Sequence, residues 1–301
     1  MNLPLDPEEV TAGGAPVAAE VPADTRMGPV ELTVSDLGRS LDYYREQVGL
    51  QLASSGDGRA TLGAGGRDLL VLTEEPGVPP SNGYCGLYHF ALLVPERTDL
   101  ARWLAHAARD RVQLTGMADH YVSEALYLSD PDDHGIEIYW DRPRRVWEGQ
   151  VARRMTTVRL DVDDLMQQVE DTEPEPFAGL PPGTVMGHVH LRVAEIPATI
   201  GFYRDVLGFG LMATFGNQAA FLSAGGYHHH LGANIWESGG SPPAPPGTAR
   251  LTRVNIEVPA AADVERLAGH LESATGRPPQ PVEGGVVTYD PSGNPVAIRT
   301  G

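Results

Sequence analysis

VELTVSDLGRSLDYYREQVGL, residues 30–50, returns as VHLRVAEIPATIGFYRDVLGF, residues 189–209, at a constant offset of 159. Val34/Val193, Tyr44/Tyr203, Arg45/Arg204 and Gly49/Gly208 coincide. Each copy opens with alternating apolar residues, the period of a strand. It then shifts to helical spacing (Leu37, Leu41, Tyr44; Ile196, Ile200, Tyr203) and stops at glycine, the usual helix C-cap. Short strand-like runs follow, DLLVL after the first copy and AAFLSAGG after the second.

Outward from this pair a second one is visible. HFALLVP (89–95) matches RVNIEVP (253–259), and each precedes a helical pattern, a DP turn and a strand, DPDDHGIEIYW and DPSGNPVAIRT. Four units result, over residues 28–76, 86–142, 184–238 and 249–301, each reading strand–helix–strand–strand–strand. Residues 1–27, rich in Pro, Ala and Glu without apolar periodicity, read as a flexible arm. Residues 143–183 read as a linker with a helical piece near DVDDLMQQVE, and GGSPPAPPG separates the last two units. The fold class expected is α+β.

Composition excludes several function classes. A formal charge of −18 over 301 residues opposes binding to nucleic acid or to anionic membranes, which require a basic face. No apolar run approaches the ~20 residues that span a bilayer. There is no basic stretch followed by an apolar one at the start, so no signal peptide is read. The single cysteine, Cys85, cannot form an internal disulfide and reads as a buried small hydrophobe in a reducing cytosol. A cytoplasmic protein is expected, and a homo-oligomer is compatible with the reading without being specified by it.

Four βαβββ units with FYRDVLGF after a first strand resemble the vicinal-oxygen-chelate superfamily of glyoxalases, extradiol dioxygenases and fosfomycin-resistance enzymes, over about residues 28–300. The resemblance implies paired units whose sheets curl into two cups, with metal ligands on first and last strands. The first-strand positions here are Pro29, His89, His188 and Arg253. The last-strand position after the DP turn is Glu137 in unit two and Ala297 in unit four. Units one and four therefore supply no site, whereas units two and three offer His89, Glu137 and His188. Two imidazoles and a carboxylate form the facial-triad set for non-haem Fe(II), with Mn(II) as the alternative, and leave positions open for substrate and O2. Pairing unit two with unit three follows from completeness of this set. Units one and four are then expected to form a structural cup.

HYVSEALYLSDPDDHGIE (120–137) closely resembles the extradiol dioxygenase signature. His120, Leu126-Tyr127, Asp130-Pro131 and Glu137 fall at its spacings, and the fourth unit has Gln280 and Val287 where the second has His120 and Tyr127. Two departures stand in expected turns, Ala118 where a small set including Gly is usual and Asp133 for the usual Gly or Pro. The triplet His228–His230 is expected to open the last strand of unit three. Alternation would put His228 and His230 on one face and His229 on the other. The ring-cleaving family carries an acid–base histidine at this place, and the register points to His229. His190 shares a face with His188. His106 and His270 fall on expected helices as solvated residues, and His134 falls in the DP turn.

Three functions compete. The first is an extradiol dioxygenase opening a catechol-type diol, with O2 as co-substrate, His229 as acid–base group, and His120 and Tyr127 placing the substrate oxygens. The second is a glyoxalase-type isomerase or lyase, which needs a fourth ligand. Its place, around His229 to Leu231, has no carboxylate and leaves only histidine. The third is a non-catalytic small-molecule binder.

Overall fold

The computed structural model describes residues 20–170 and 177–301. Unit one contributes β1 (Arg26–Val34), α1 (Leu37–Asp42, continued by a π-helical turn over Tyr43–Val48), β2 (Gln51–Gly56), β3 (Arg59–Ala64) and β4 (Arg67–Glu74). Unit two contributes β5 (Gly86–Leu93), α2 (Arg97–Asp110), β6 (Gly116–Asp119), β7 (Ser123–Ser129) and β8 (Gly135–Asp141). The stretch between the halves carries α3 (Arg144–Trp147), α4 (Val151–Arg154), β9 (Val158–Arg159) and α5 (Val162–Glu170). Unit three contributes β10 (Val185–Arg192), α6 (Ile196–Ile200, with a π-helical turn over Gly201–Val206), β11 (Gly210–Phe215), β12 (Ala219–Ser223) and β13 (Leu231–Asn234). Unit four contributes β14 (Leu251–Val258), α7 (Ala261–Thr275), β15 (Gln280–Val282), β16 (Gly285–Tyr289) and β17 (Pro295–Thr300).

Two mixed sheets result, in a two-domain α+β arrangement of curled half-barrels. An eight-stranded sheet runs β15-β16-β17-β14-β1-β4-β3-β2, and a nine-stranded sheet runs β11-β12-β13-β10-β5-β8-β7-β6-β9. First strands meet antiparallel at the centre of each sheet, and each lies parallel to its own unit's last strand. Thus units one and four share one sheet, and units two and three the other. The central strands are buried on both faces, as β10 is, although it carries two histidines and an arginine.

The sheets are tied by the residues that coincide between the copies. The Tyr44 hydroxyl donates to Asp130 Oδ2 at 2.9 Å and the Tyr203 hydroxyl to Asp290 Oδ2 at 3.3 Å. Each bond joins a helix of one sheet's unit to the DP turn of the other's. The Trp103 indole N–H donates to Val48 O at 3.0 Å, across the same seam.

Three expectations change and one holds. Of the arm over 1–27, residues 1–19 lie outside the described residues, and from Glu20 onward the chain is anchored. Glu20 and Val21 N–H both donate to Gly208 O, Val21 is buried, and β1 already starts at Arg26. His106 is buried, because its ring stacks on Phe177 at 4.0 Å; a partner seventy residues away leaves no mark on helical spacing. Ala118 lies inside β6 and is not in a turn. Asp133 does sit in a turn, at φ 65, the left-handed conformation that explains why glycine is usual there.

Candidate metal centre and pocket

The strand register builds the site. His188 on β10 stands opposite Ala91 on β5, and Ala91 stands beside Glu137 on β8. A row of three strands spans about 10 Å, and the small methyl of Ala91 lets the outer two side chains meet above it. His188 Nε2 lies 3.0 Å and His89 Nε2 3.1 Å from Glu137 Oε2. One ligand atom from each of the three buried residues falls within 4.8 Å of the others. Two donors ~2.1 Å from a common ion at a right angle stand ~3.0 Å apart, so the spacing fits a metal. His89 Nε2 is buried and its approach to Glu137 lacks hydrogen-bond geometry, which fits a donor aimed at an ion.

The electrostatics agree with that use. Burial pushes the Glu137 carboxyl up, but His188 and His89 outweigh it and hold the group well below the usual range. Burial lowers His188, against the opposing pull of Glu137, so its imidazole is neutral at pH 7 and free to ligate.

His120 and Tyr127 belong to the same cleft. Tyr127 on β7 pairs directly with Glu137 on β8, and paired residues share a face. Its hydroxyl lies 2.7 Å from His120 Nε2. His120 sits at the tip of the β6–β7 hairpin, where Tyr121 is held at φ 68. Asp119 Oδ1 accepts from the Tyr121 N–H at 2.8 Å, and Arg142 grips both oxygens of Asp119 at 2.6 and 3.0 Å.

The His triplet corrects the expected alternation. His228–His230 precede β13 in a turn, so neighbours need not face opposite ways. His229 lines the cleft, its ring 4.2 Å from that of His188. His228 is fully buried behind it, with Nδ1 2.8 Å from His229 Nδ1. His230 Nδ1 turns back to accept the Ala224 N–H. The place of a fourth ligand also moves. Across β10 and β13 the register sets His190 against Gly232, the counterpart of Ala91 and Glu137 in unit two. A Cβ on Gly232 would fall 2.8 Å from the His190 ring, so Gly232 itself supplies no donor and the His190 ring takes the space that a side chain there would need.

The three donors open onto a cleft. Phe215, Phe221 and Trp236 of unit three form an apolar wall, and Met155, Thr156 and Thr157 close it from the linker. These linker residues have no metal-ligand or signature spacing, and the sequence offered no signal for them.

A family model described as the glyoxalase/bleomycin resistance protein/dioxygenase superfamily matches residues 26–138 and 185–298. The chain belongs to that superfamily. It is 39% identical over 283 residues to the catechol-2,3-dioxygenase of Bacillus subtilis (strain 168), covering 88% of this chain and 97% of that protein. Among solved structures, a candidate dioxygenase from Bacillus subtilis superposes with TM-score 0.63 at 14% identity, over 94% of this chain and 86% of that one. Glyoxalase I from Zea mays superposes with TM-score 0.56 at 20% identity, over 92% of each chain. Those two structural likenesses concern the fold alone. Among the described residues, no helix is long and apolar enough to cross a membrane.

Proposed function

We propose that this superfamily member is an extradiol dioxygenase, opening a catechol-type diol with O2 at an Fe(II) ion held by His89, Glu137 and His188, with Mn(II) as the alternative metal. The observation that carries the reading is the convergence of two imidazoles and one carboxylate beside a fourth place that is glycine. Three ligands leave open positions, as diol and O2 together require. A glyoxalase-type reading would need a further donor where Gly232 stands. The identity with a catechol-2,3-dioxygenase supports the same conclusion.

Bound there, the metal supplies Lewis acidity and the electron transfer that couples the diol to O2. The chain's own residues handle protons and position. His229 is the acid–base group, and burial, then the neighbouring His188, holds it well below its ordinary value, so the ring is a neutral acceptor at pH 7. The linked His120 and Tyr127 orient a substrate oxygen through hydrogen bonds. The wall of Phe215, Phe221 and Trp236 excludes water and covers the ring. The acidic chain with one buried cysteine suits a cytoplasmic enzyme.

Anaerobic loading with Fe(II), metal analysis and an O2-uptake assay over a panel of catechols test this. One ion per chain and O2 consumption matched by a ring-opened product are expected. Full iron occupancy without O2 uptake on any catechol would refute it.

A further inference from the structure

We propose that Asp141 and His228 are positioning residues, which hold the His229 ring with its proton on Nδ1 and its lone pair on Nε2 toward the cleft. The proposal rests on His229 being the acid–base group of the reading above.

Three bonds carry it. His228 Nε2 lies 2.8 Å from Asp141 Oδ1, and His228 Nδ1 lies 2.8 Å from His229 Nδ1. The other oxygen, Asp141 Oδ2, accepts from the Tyr227 hydroxyl at 2.8 Å. A carboxylate only accepts, so the proton on His228 sits on Nε2. With that single N–H on His228, its Nδ1 is an acceptor. His229 must then donate through Nδ1, and Nε2 is the nitrogen left with a lone pair. Reversing the tautomer of His228 would face its Nε2 lone pair to the Asp141 carboxylate and set two N–H groups against each other at His229, and reversing that of His229 alone would face two lone pairs at 2.8 Å. The order of protons is therefore dictated from Asp141 outward.

The support behind Asp141 is equally specific. The Tyr139 hydroxyl lies 2.8 Å from that of Tyr227. The two hydroxyls form a chain that ends on Asp141 Oδ2. A Cβ on Gly187 would fall 1.8 Å from the Tyr139 oxygen. The residue just before the ligand His188 is thus glycine where the hydroxyl must pass. At the offset of 160 that sets Glu137 on Ala297, Asp141 falls on Gly301 and Tyr139 on Arg299. The array belongs to the half with the donor triad, and the fold does not demand it.

Three variants separate positioning from packing. His228→Gln offers an amide N–H to Asp141 and a carbonyl to His229, while His228→Phe keeps the ring and loses both bonds. Asp141→Asn keeps shape and lets an N–H face His228, which inverts both tautomers. In the Fe(II)-loaded chain, Asp141→Asn is expected to lower kcat by ~10²–10⁴-fold, as a wrong tautomer does in a Ser-His-Asp triad. KM should move less than about three-fold, with metal content unchanged. His228→Gln should stay within about ten-fold of wild type, and His228→Phe should lose at least about 100-fold. A packing role gives the reverse order, Phe milder than Gln, and that order overturns the proposal. A second readout needs no turnover. In the chain loaded with diamagnetic Zn(II), ¹⁵N-histidine NMR should find the His229 proton on Nδ1, and on Nε2 in Asp141→Asn. A wild-type His229 protonated on Nε2 refutes the positioning even where catechol cleavage is established. Absent O2 uptake with an Nδ1 proton refutes only the dioxygenase reading.

Discussion

The two sheets start from the same repeat and solve the same charge problem in opposite ways. In the nine-stranded sheet the central positions are His89, His188, Glu137 and His190, with Ala91 and Gly232 as the small residues between them. In the eight-stranded sheet the counterparts are Arg253, Pro29, Ala297 and Glu31, with Asn255 and Val71. There the carboxylate of Glu31 is met by Arg253 at 3.2 Å, Arg59 at 3.1 Å and the Asn255 amide at 3.3 Å. Guanidinium groups supply the positive charge, and a larger amide fills the space that Ala91 leaves open. Among the described residues, the eight-stranded sheet places an ion-paired cluster where the other places its donors. What is identical between the copies ties the fold together, and what differs carries chemistry.

The sharpest way to break that contrast is to empty the donor set. Glu137→Ala leaves two imidazoles, and metal affinity should fall by more than ~100-fold, since losing even a group behind a ligand costs 10–100-fold. Metal content after gel filtration checks it, and full retention of one ion per chain would erase the distinction between the cups. Next in size are the groups that handle protons. His229→Gln and Tyr127→Phe should each lower kcat by ~10²–10⁴-fold with metal retained. Steady-state kinetics on iron-replete protein reads this, and wild-type turnover in both would reassign them to packing.

Smaller effects belong to the shared scaffold. Tyr44→Phe strips a donor from the buried Asp130 carboxylate and should cost ~1–3 kcal/mol, read from the denaturation midpoint, while metal content stays put. The smallest effect is in the other cup. Arg253 is about one-third exposed and Glu31 retains Arg59, so Arg253→Met should cost at most ~1 kcal/mol. Lost metal in that variant, measured beside wild type, would mean that the two cups are coupled.

The fold was legible because a repeat at constant offset repeats the strand and helix periods with it. The converging donors were legible for a related reason, since Arg253 and Ala297 act as an internal control for His89 and Glu137. What escaped has no periodic trace. Alternation misplaced the faces of His228–His230 because the residues lie in a turn, where neighbouring side chains are not bound to opposite sides. Asp141 drew no reading from the sequence, because its bond to His228 spans 87 positions. His106 followed helical spacing on α2, but Phe177 covers it from the far side of the linker. Met155, Thr156 and Thr157 reach the cleft through the path of the chain. The fourth ligand place slid from His229–Leu231 to Gly232 because strand pairing, rather than residue type, decides which position faces the cup.

The antiparallel contact of β5 with β10 has a consequence for the order in which the molecule is made. A growing chain displays His89 and Glu137 long before His188 is added, and the first two come from neighbouring parallel strands with no third corner. Likewise β1 waits for β14, the first strand of the last unit. Each sheet is thus closed by the half of the chain synthesised second. A released fragment ending at residue 142 would own two donors and one flank of the cleft, with a raw strand edge where β10 belongs. The donor set is in this way complete only once β10 of the second half has paired with β5 of the first.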